Sequence, residues 1–208
     1  MQSPFAHISS SAVIDQNTNL YPFCFVAEKA KIASGCIIHP HVYIGENATL
    51  HENVIVYPGA VIMDGVEIGA HTIIHSGAVI GSDGFGFEPS HEKIEKFMQI
   101  GSVQIGENVE IGALCTIDRA TFKKTKVGDG CKLDSQVHIG HNVDLGENSM
   151  LCGQVGLAGS SKIGKRFIAA GQVGIGPGLK IADYVTIGPK SGVTKSIEEK
   201  GDYIGMPA

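Results

Sequence analysis

The chain has 208 residues, a net charge of −5, 28 glycines and no tryptophan, and only 18% of its residues are charged. The negative charge argues against a nucleic acid partner, because binding to a phosphate backbone depends on an excess of lysine and arginine. No apolar run of about 18 residues is present and no signal peptide precedes the first repeat. We therefore expect a soluble, cytoplasmic protein without membrane insertion.

An aliphatic residue recurs at every sixth position over most of the chain. The series runs from Ile14 to Ile80, resumes from Ile105 to Ile117, and continues from Val127 to Val193. A fixed hexapeptide period is typical of a parallel β-helix. The sequence thus predicts an all-β solenoid of about nine coils, each built from three strand-and-turn units.

A second regular position lies four residues after each aliphatic residue and holds small or β-branched side chains. Because residues two apart in a strand share a face, this position and the next aliphatic residue both point inward, and the residue between them points outward. The position before it is rich in glycine, asparagine and aspartate, which tolerate positive φ. We therefore place the turns there.

Most cysteines and histidines fit this repeat without a special role. Four of the five cysteines occupy inward positions, which predicts buried thiols and neither disulfides nor metal ligands; they are Cys24, Cys36, Cys115 and Cys131. His39, Tyr57 and His75 occupy one column of successive coils and predict an outward ladder. No convincing set of three converging imidazoles can be assembled, so we predict no metal.

Two interruptions break the period. The first, residues 85–99, is predicted to project from the three-sided solenoid as a loop, because the stacked strands have no room for inserted residues. It carries four large apolar side chains, and long loops on rigid scaffolds are common sites of binding. We expect it to contact an apolar ligand or a neighbouring subunit. The second, Phe122–Lys126, is short and basic, and a plain widening of a turn is one explanation for it.

One histidine lies where chemistry is possible. The repeat places His141 on an exposed corner, followed by the turn residue Asn142, with His138 pointing outward from the strand before it. A corner histidine is most often ordinary surface. Histidine is nevertheless the most common general base at neutral pH, and a corner could face a cleft between two prisms.

Four stretches resemble the UDP-3-O-acylglucosamine N-acyltransferase family of lipid A biosynthesis: IGSDGFGF (80–87), EIGALCTIDRAT (110–121), KLDSQVHIGHNVDLGEN (132–148) and GLAGSSKIG (156–164). The resemblance implies a left-handed parallel β-helix, an exception to the usual handedness of crossovers. It also implies a homotrimer with sites in the clefts between subunits. No cofactor is expected to stay bound. The donor would be an acyl-phosphopantetheine, from acyl carrier protein or alternatively from coenzyme A, and the acceptor a UDP-amino sugar.

The resemblance also implies roles for individual residues. His141 would be the general base, the N–H of Gly159 would stabilise the oxyanion, and Asp134 would orient the histidine. The remaining substrate-binding candidates are His138, Asn142, Phe85 and Phe87.

The chain departs from the family pattern in four respects. We expect a single β-helix domain over residues 1–208 that lacks the family's N-terminal uridine-binding domain and C-terminal helices. Ser135 stands where the family usually has asparagine, and Gly178 where it often has a second histidine. Two alternatives therefore stay open: a short-chain acyl-CoA-dependent N-acyltransferase of a nucleotide amino sugar, and a non-catalytic paralogue.

Overall fold

The computed structural model of the protein describes residues 2–89 and 93–207. All regular structure in these residues is β-strand. Successive strands pass in turn through three parallel sheets of ten, nine and ten strands, and two further strands form a small antiparallel sheet. The chain is therefore a three-sided parallel β-helix, as the hexapeptide period predicts. No helix long and apolar enough to cross a membrane occurs in the described part of the chain.

The strands are short and follow the repeat. The first sheet contains β1 (His7–Ile8), β4 (Phe25–Val26), β7 (Tyr43–Ile44), β10 (Val61–Ile62), β13 (Val79–Ser82), β18 (Thr116–Asp118), β21 (His138–Ile139), β24 (Gly156–Leu157), β27 (Gly174–Ile175) and β30 (Gly192–Val193). The second contains β2 (Val13–Ile14), β5 (Lys31–Ile32), β8 (Thr49–Leu50), β11 (Glu67–Ile68), β16 (Ser102–Ile105), β19 (Lys124–Val127), β22 (Asp144–Leu145), β25 (Lys162–Ile163) and β28 (Lys180–Ile181). The third contains β3 (Asn19–Leu20), β6 (Ile37–Ile38), β9 (Ile55–Val56), β12 (Ile73–Ile74), β17 (Glu110–Ile111), β20 (Lys132–Leu133), β23 (Met150–Leu151), β26 (Ile168–Ala169), β29 (Val185–Ile187) and β31 (Gly201–Tyr203). The antiparallel pair is β14 (Phe87–Pro89) and β15 (Ile94–Lys96).

The core is a continuous column of the two inward positions. Ile80 and Ile139 represent the aliphatic position and Cys115 and Val143 the small position, and all four are fully buried. Each buried aliphatic side chain contributes about 1.5–3 kcal/mol. The four inward cysteines are buried as predicted. Burial raises the pKa of their thiols, that of Cys131 to about 11, so they are poor nucleophiles.

The turn position adopts positive φ along the prism, even where the residue does not favour it. Asn47 (φ 55°) and Gly59 (φ 72°) are the types that the sequence indicates, but Leu114 (φ 59°) and Tyr184 (φ 59°) adopt the same conformation. Stacking on regular coils above and below imposes the turn on these side chains. The first and third sheets each hold one strand more than the predicted nine, because β1 and β31 lie outside the unbroken aliphatic series, whereas the second sheet holds nine.

Three edges connect the three sheets. We call the segments that lead from the third sheet to the first edge 3–1, and those from the first to the second edge 1–2. The predicted ladder runs along edge 3–1, where the rings of Tyr21, His39, Tyr57 and His75 stack with centroids 5.0–5.2 Å apart.

Both interruptions lie on edge 1–2. The segment between β13 and β16 forms the hairpin of β14 and β15, in which Phe87 pairs with Lys96. Beyond the hairpin, the ring of Phe97 meets that of Phe122 edge-on at 6.2 Å. Phe122 belongs to the second interruption and lies 25 residues after Phe97 in sequence. The two irregular segments therefore pack together on one edge.

Candidate active site

His141 lies on edge 1–2 directly after β21, under the base of the hairpin segment. A Cβ on Gly84 would come within 2.5 Å of the Cβ of His141, so only glycine fits there. The imidazole lines a cavity of about 690 Å³. The other side chains on its wall include Phe85, Asp118 and His138, and its floor is largely backbone from the Gly156–Ser160 segment.

The hydrogen bonds of Asn142 determine the tautomer of His141. Asn142 Oδ1 accepts the backbone N–H of Thr121 at 3.0 Å, and Nδ2 donates to the carbonyl of Phe122 at 3.0 Å. Oδ1 is therefore an acceptor toward His141 Nδ1, which lies 3.1 Å away and must bear the proton. In the neutral imidazole this assignment leaves the lone pair of Nε2 available as a base.

Nε2 of His141 faces the backbone of the next coil. A Cβ on Gly159 would lie 2.5 Å from Nε2, so the imidazole packs flat against this glycine. The Gly159 carbonyl accepts the N–H of Gly178 at 3.0 Å. The Gly159 N–H makes no hydrogen bond within residues 2–89 and 93–207. The Gly159 N–H is therefore a free hydrogen-bond donor close to Nε2 of His141.

A second histidine and a buried carboxyl extend the site. Thr116 Oγ1 lies 2.8 Å from His138 Nδ1, and Asp118 Oδ2 lies 3.8 Å from His138 Nε2. Ser82 donates to Asp118 Oδ1 at 3.2 Å. Burial raises the pKa of Asp118, and the neighbouring His138, Ser82 and His141 oppose that shift. This carboxyl is placed to stabilise positive charge on either imidazole.

Below His138 the outward face of the first sheet is bare. The successive outward positions there are Gly156, Gly174 and Gly192. A Cβ on either of the first two would meet nothing within 4 Å, whereas one on Gly192 would contact the side chain of Met206. The result is a shallow groove about two coils long, or roughly 9 Å at one strand spacing per coil, which ends at the side chain of Met206.

The structure brings together most of the predicted site residues but separates two of them. His141, Gly159, His138 and Phe85 line the same cavity, and Asn142 orients His141 from behind. Phe87 lies on the hairpin and reaches the site only through Phe85, with ring centroids 4.9 Å apart.

Asp134 does not contact His141 within one chain. It lies on edge 3–1, with strand β21 between the two residues, and lines a different cavity. Its Oδ1 accepts the N–H of Ser135 at 2.7 Å. The predicted orienting role therefore needs a second copy of the chain. Asp118, which the sequence analysis did not single out, is the carboxyl that the fold itself places beside the histidines.

No group of three or more potential metal ligands converges within the described ranges. The site thus combines an imidazole oriented by Asn142, a free amide donor, a second imidazole with a buried carboxyl, and a groove without side chains.

Comparison with known families and proteins adds to this geometry. A family model described as bacterial transferase hexapeptide (six repeats) matches residues 124–159, and one described as the GMPPB C-terminal domain matches residues 20–84. The UDP-3-O-acylglucosamine N-acyltransferase of Dechloromonas aromatica is 60% identical over 72 residues, or 35% of this chain and 21% of that protein. UDP-3-O-acylglucosamine N-acyltransferase 2 of Sulfurimonas denitrificans is 41% identical over 129 residues, or 61% of this chain and 41% of that protein.

Solved structures match almost the whole chain. The UDP-N-acetylglucosamine acyltransferase of Arabidopsis superposes with a TM-score of 0.85 over 99% of this chain and 71% of that one, at 24% identity. The UDP-N-acetylglucosamine O-acyltransferase of Moraxella catarrhalis superposes with a TM-score of 0.73 over 99% of this chain and 71% of that one, at 27% identity. The left-handed parallel β-helix predicted from the sequence is thereby confirmed.

Proposed function

We propose that the chain is, through its hexapeptide-repeat part, a member of the UDP-3-O-acylglucosamine N-acyltransferase family, and that it transfers a 3-hydroxyacyl chain from acyl carrier protein to the amine of a UDP-3-O-acylglucosamine. The observation that supports this most is the placement of His141 Nε2 beside the free N–H of Gly159 in one cavity.

The first step uses the histidine. The amine nitrogen of the acceptor attacks the thioester carbonyl carbon and forms the new C–N bond, while Nε2 of His141 takes one proton from that nitrogen. Nδ1 keeps its proton because the Nδ1–H donates a hydrogen bond to Asn142 Oδ1. The imidazolium that forms is stabilised by the Asp118 carboxylate, whose charge acts on His141.

The second step uses the free amide. The carbonyl oxygen becomes an oxyanion in the tetrahedral intermediate, and the N–H of Gly159 is a fixed donor for it. Collapse of the intermediate breaks the C–S bond, and the leaving thiolate takes the proton from Nε2. The products are an amide and a free phosphopantetheine thiol, and the histidine returns to its starting state.

The glycine groove suits the acyl chain. Gly156 and Gly174 present only backbone, so a straight hydrocarbon chain could lie along the first sheet below His138. Phe85, whose side chain is 86% exposed, lies at the other end of the same cavity and offers an apolar surface to the chain or to a neighbouring subunit.

The orienting role toward His141 that the family resemblance implies for Asp134 requires a homotrimer. The two residues lie on different edges of one prism, so they can meet only when edge 3–1 of one subunit faces edge 1–2 of another. Closed cyclic assembly of three-sided prisms provides that contact at each interface. The orienting role of Asp134 is thus proposed for the assembled protein.

A mass-spectrometric acyl-transfer assay tests the proposed function. It offers 3-hydroxyacyl carrier protein and acetyl-CoA as donors, with UDP-3-O-acylglucosamine and simpler UDP-amino sugars as acceptors. We expect transfer from the carrier protein to the acylated sugar, and a rate about 10²–10⁴-fold lower for His141→Ala. His51→Ala, which removes a half-exposed histidine on another edge, should keep full activity.

The other outcomes decide between the alternatives. Transfer from acetyl-CoA alone would favour a short-chain acyltransferase. No transfer from either donor by the folded protein would favour a non-catalytic paralogue. Full activity of His141→Ala would contradict the assignment of the base.

A further inference from the structure

The stacked ring column on edge 3–1 ends with one uncovered face. His39 and Tyr57 each have a parallel ring on both sides, at interplanar angles of 6–7°. His75 is the last ring and has a neighbour on one side only. The equivalent position in the next coil is Gly112, which offers no side chain to cover the other side.

The gap below His75 cannot be filled by a side chain of residue 112. A Cβ on Gly112 would lie 2.5 Å from the carbonyl carbon of Asp134 and 2.6 Å from the nitrogen of Ser135, both of them backbone atoms. Two coils, or roughly 9–10 Å at one strand spacing each, separate His75 from the next side chain of the column, Asp134. That distance leaves room for one further planar ring.

The imidazole of His75 is held in place as a stacking surface. Its Nε2 lies 2.9 Å from Oε1 of Glu110, which comes from the strand of the next coil. The ring also forms part of a cavity of about 440 Å³ that includes Gly112, Lys132 and Met150. Small-molecule sites have volumes of about 300–1,000 Å³, so this cavity is large enough for a heterocycle and an attached sugar.

We propose that this cavity binds the pyrimidine base of a nucleotide, stacked on His75 as the fifth ring of the column. A nucleotide base is a planar group thin enough for the gap, and every base has a π-face that can stack on an aromatic side chain. Within one chain this cavity and the one around His141 lie on different edges. In the proposed trimer edge 3–1 of one subunit faces edge 1–2 of its neighbour, so the base and the amine of one acceptor can occupy the two cavities together. The identity of the nucleotide, that of a UDP-sugar acceptor, rests on the proposed function.

Lys132 provides the charge for the phosphates. It lies next to Glu110 on the third sheet, and its Nζ donates to the carbonyl of Asn108 at 2.8 Å. Two of its three ammonium protons remain available. A diphosphate that leaves the stacked base along the third sheet would pass this ammonium group.

Titration of the intact protein with UDP, followed by calorimetry and by the ring C–H signals of His75, tests the site. We expect saturable binding that shifts the His75 signals. His75→Ala should weaken UDP binding by about 5–150-fold, the equivalent of about 1–3 kcal/mol for one stacked base. His75→Phe should keep most of the affinity, because it restores a ring. Tyr21→Ala truncates the opposite end of the same column and should leave binding unchanged.

Two comparisons make the result decisive. Lys132→Ala should weaken UDP but not uridine, which lacks phosphate. His141→Ala should slow acyl transfer about 10²–10⁴-fold and leave UDP binding intact, so failure of the proposed chemistry and failure of this site are distinguishable. Absence of UDP binding to the parent protein, or equal UDP affinity of folded His75→Ala, would overturn the proposal.

Discussion

Nε2 of His141 lies so close to the backbone of Gly159 that a single added carbon on residue 159 would come within 2.5 Å of it. The two residues are 18 positions apart, one full coil, and occupy the same place in the repeat. The contact leaves the base and the free amide donor next to each other without any linking side chain.

Gly159→Ala should therefore reduce activity strongly without unfolding the protein. The new methyl group must push the imidazole out of its position, and we expect the rate to fall about 10²–10³-fold, as for loss of an oxyanion donor or a base. The atoms that the methyl group would meet belong to the end of one side chain, the imidazole of His141. The free energy of unfolding should therefore change by less than about 1 kcal/mol. Rates come from the acyl-transfer assay and stability from thermal unfolding.

Gly171→Ala is the matched control, because Gly171 has the same place in the repeat and its Cβ would meet only a carbonyl oxygen at 3.7 Å. It should keep full activity. In a His141→Ala background, Gly159→Ala should have no further effect on thermal stability. An active Gly159→Ala variant would show that the imidazole does not need this position.

The orientation of His141 depends on Asn142, which the repeat predicts only as a turn residue. Asn142→Gly keeps the positive φ of 61° and removes the acceptor for Nδ1–H. We expect a rate about 10-fold lower or more, with a stability loss of about 1–3 kcal/mol for the broken hydrogen bonds. The imidazole ¹⁵N shifts should change from a single Nδ1–H tautomer to a mixture.

Asn148→Gly provides the control, since Asn148 has the same turn conformation at φ 56° on another edge. It should lose some stability but keep both activity and the His141 tautomer. A single Nδ1–H tautomer in Asn142→Gly would contradict the orienting role.

The bare groove makes a prediction about chain length. Gly174→Leu places a branched side chain on the groove floor, where a Cβ meets nothing within 4 Å, so the protein should fold normally. We expect kcat/KM for long acyl donors to fall about 10–200-fold, the usual effect of a steric mismatch in an apolar site, and short donors to be unaffected. A series of donors of increasing length gives the comparison.

Lys180→Leu is the matched change, because Lys180 points outward in the same coil but from the second sheet. It should not alter chain-length preference. Equal losses for short and long donors in Gly174→Leu would mean that the acyl chain lies elsewhere.

The sequence predicts the fold well because burial and turn geometry repeat every six residues, so each coil confirms the register of the others. The site is harder to predict from the sequence, because it forms where the hexapeptide period is interrupted. Asn142 is oriented by hydrogen bonds to the backbone of Thr121 and Phe122. Phe122 begins the second interruption and Thr121 precedes it, so the hexapeptide period does not predict where their backbone lies. Asp118 is missed for the same reason: it lies on a strand lengthened beside a register shift.

Asp118 also predicts a pH dependence of stability. Burial raises its pKa above the ordinary value of 3.8, so the folded state binds this proton more tightly than the unfolded chain does. The carboxyl therefore stabilises the fold most at pH values below 3.8, and this stabilisation is lost as pH rises through the folded-state pKa. Above that pH the protein bears the cost of a buried carboxylate.

Asp118→Asn removes the titration, so the free energy of unfolding of the variant relative to the parent should increase across that pH window and level off above it. Urea unfolding at a series of pH values gives this difference, and it should be small at the acidic end, where both side chains are neutral. Asp144→Asn, an exposed carboxyl on β22, should show no such rise. A difference that falls with pH would mean that the histidines lower the pKa of Asp118 more than burial raises it, and would place a permanent carboxylate beside His138.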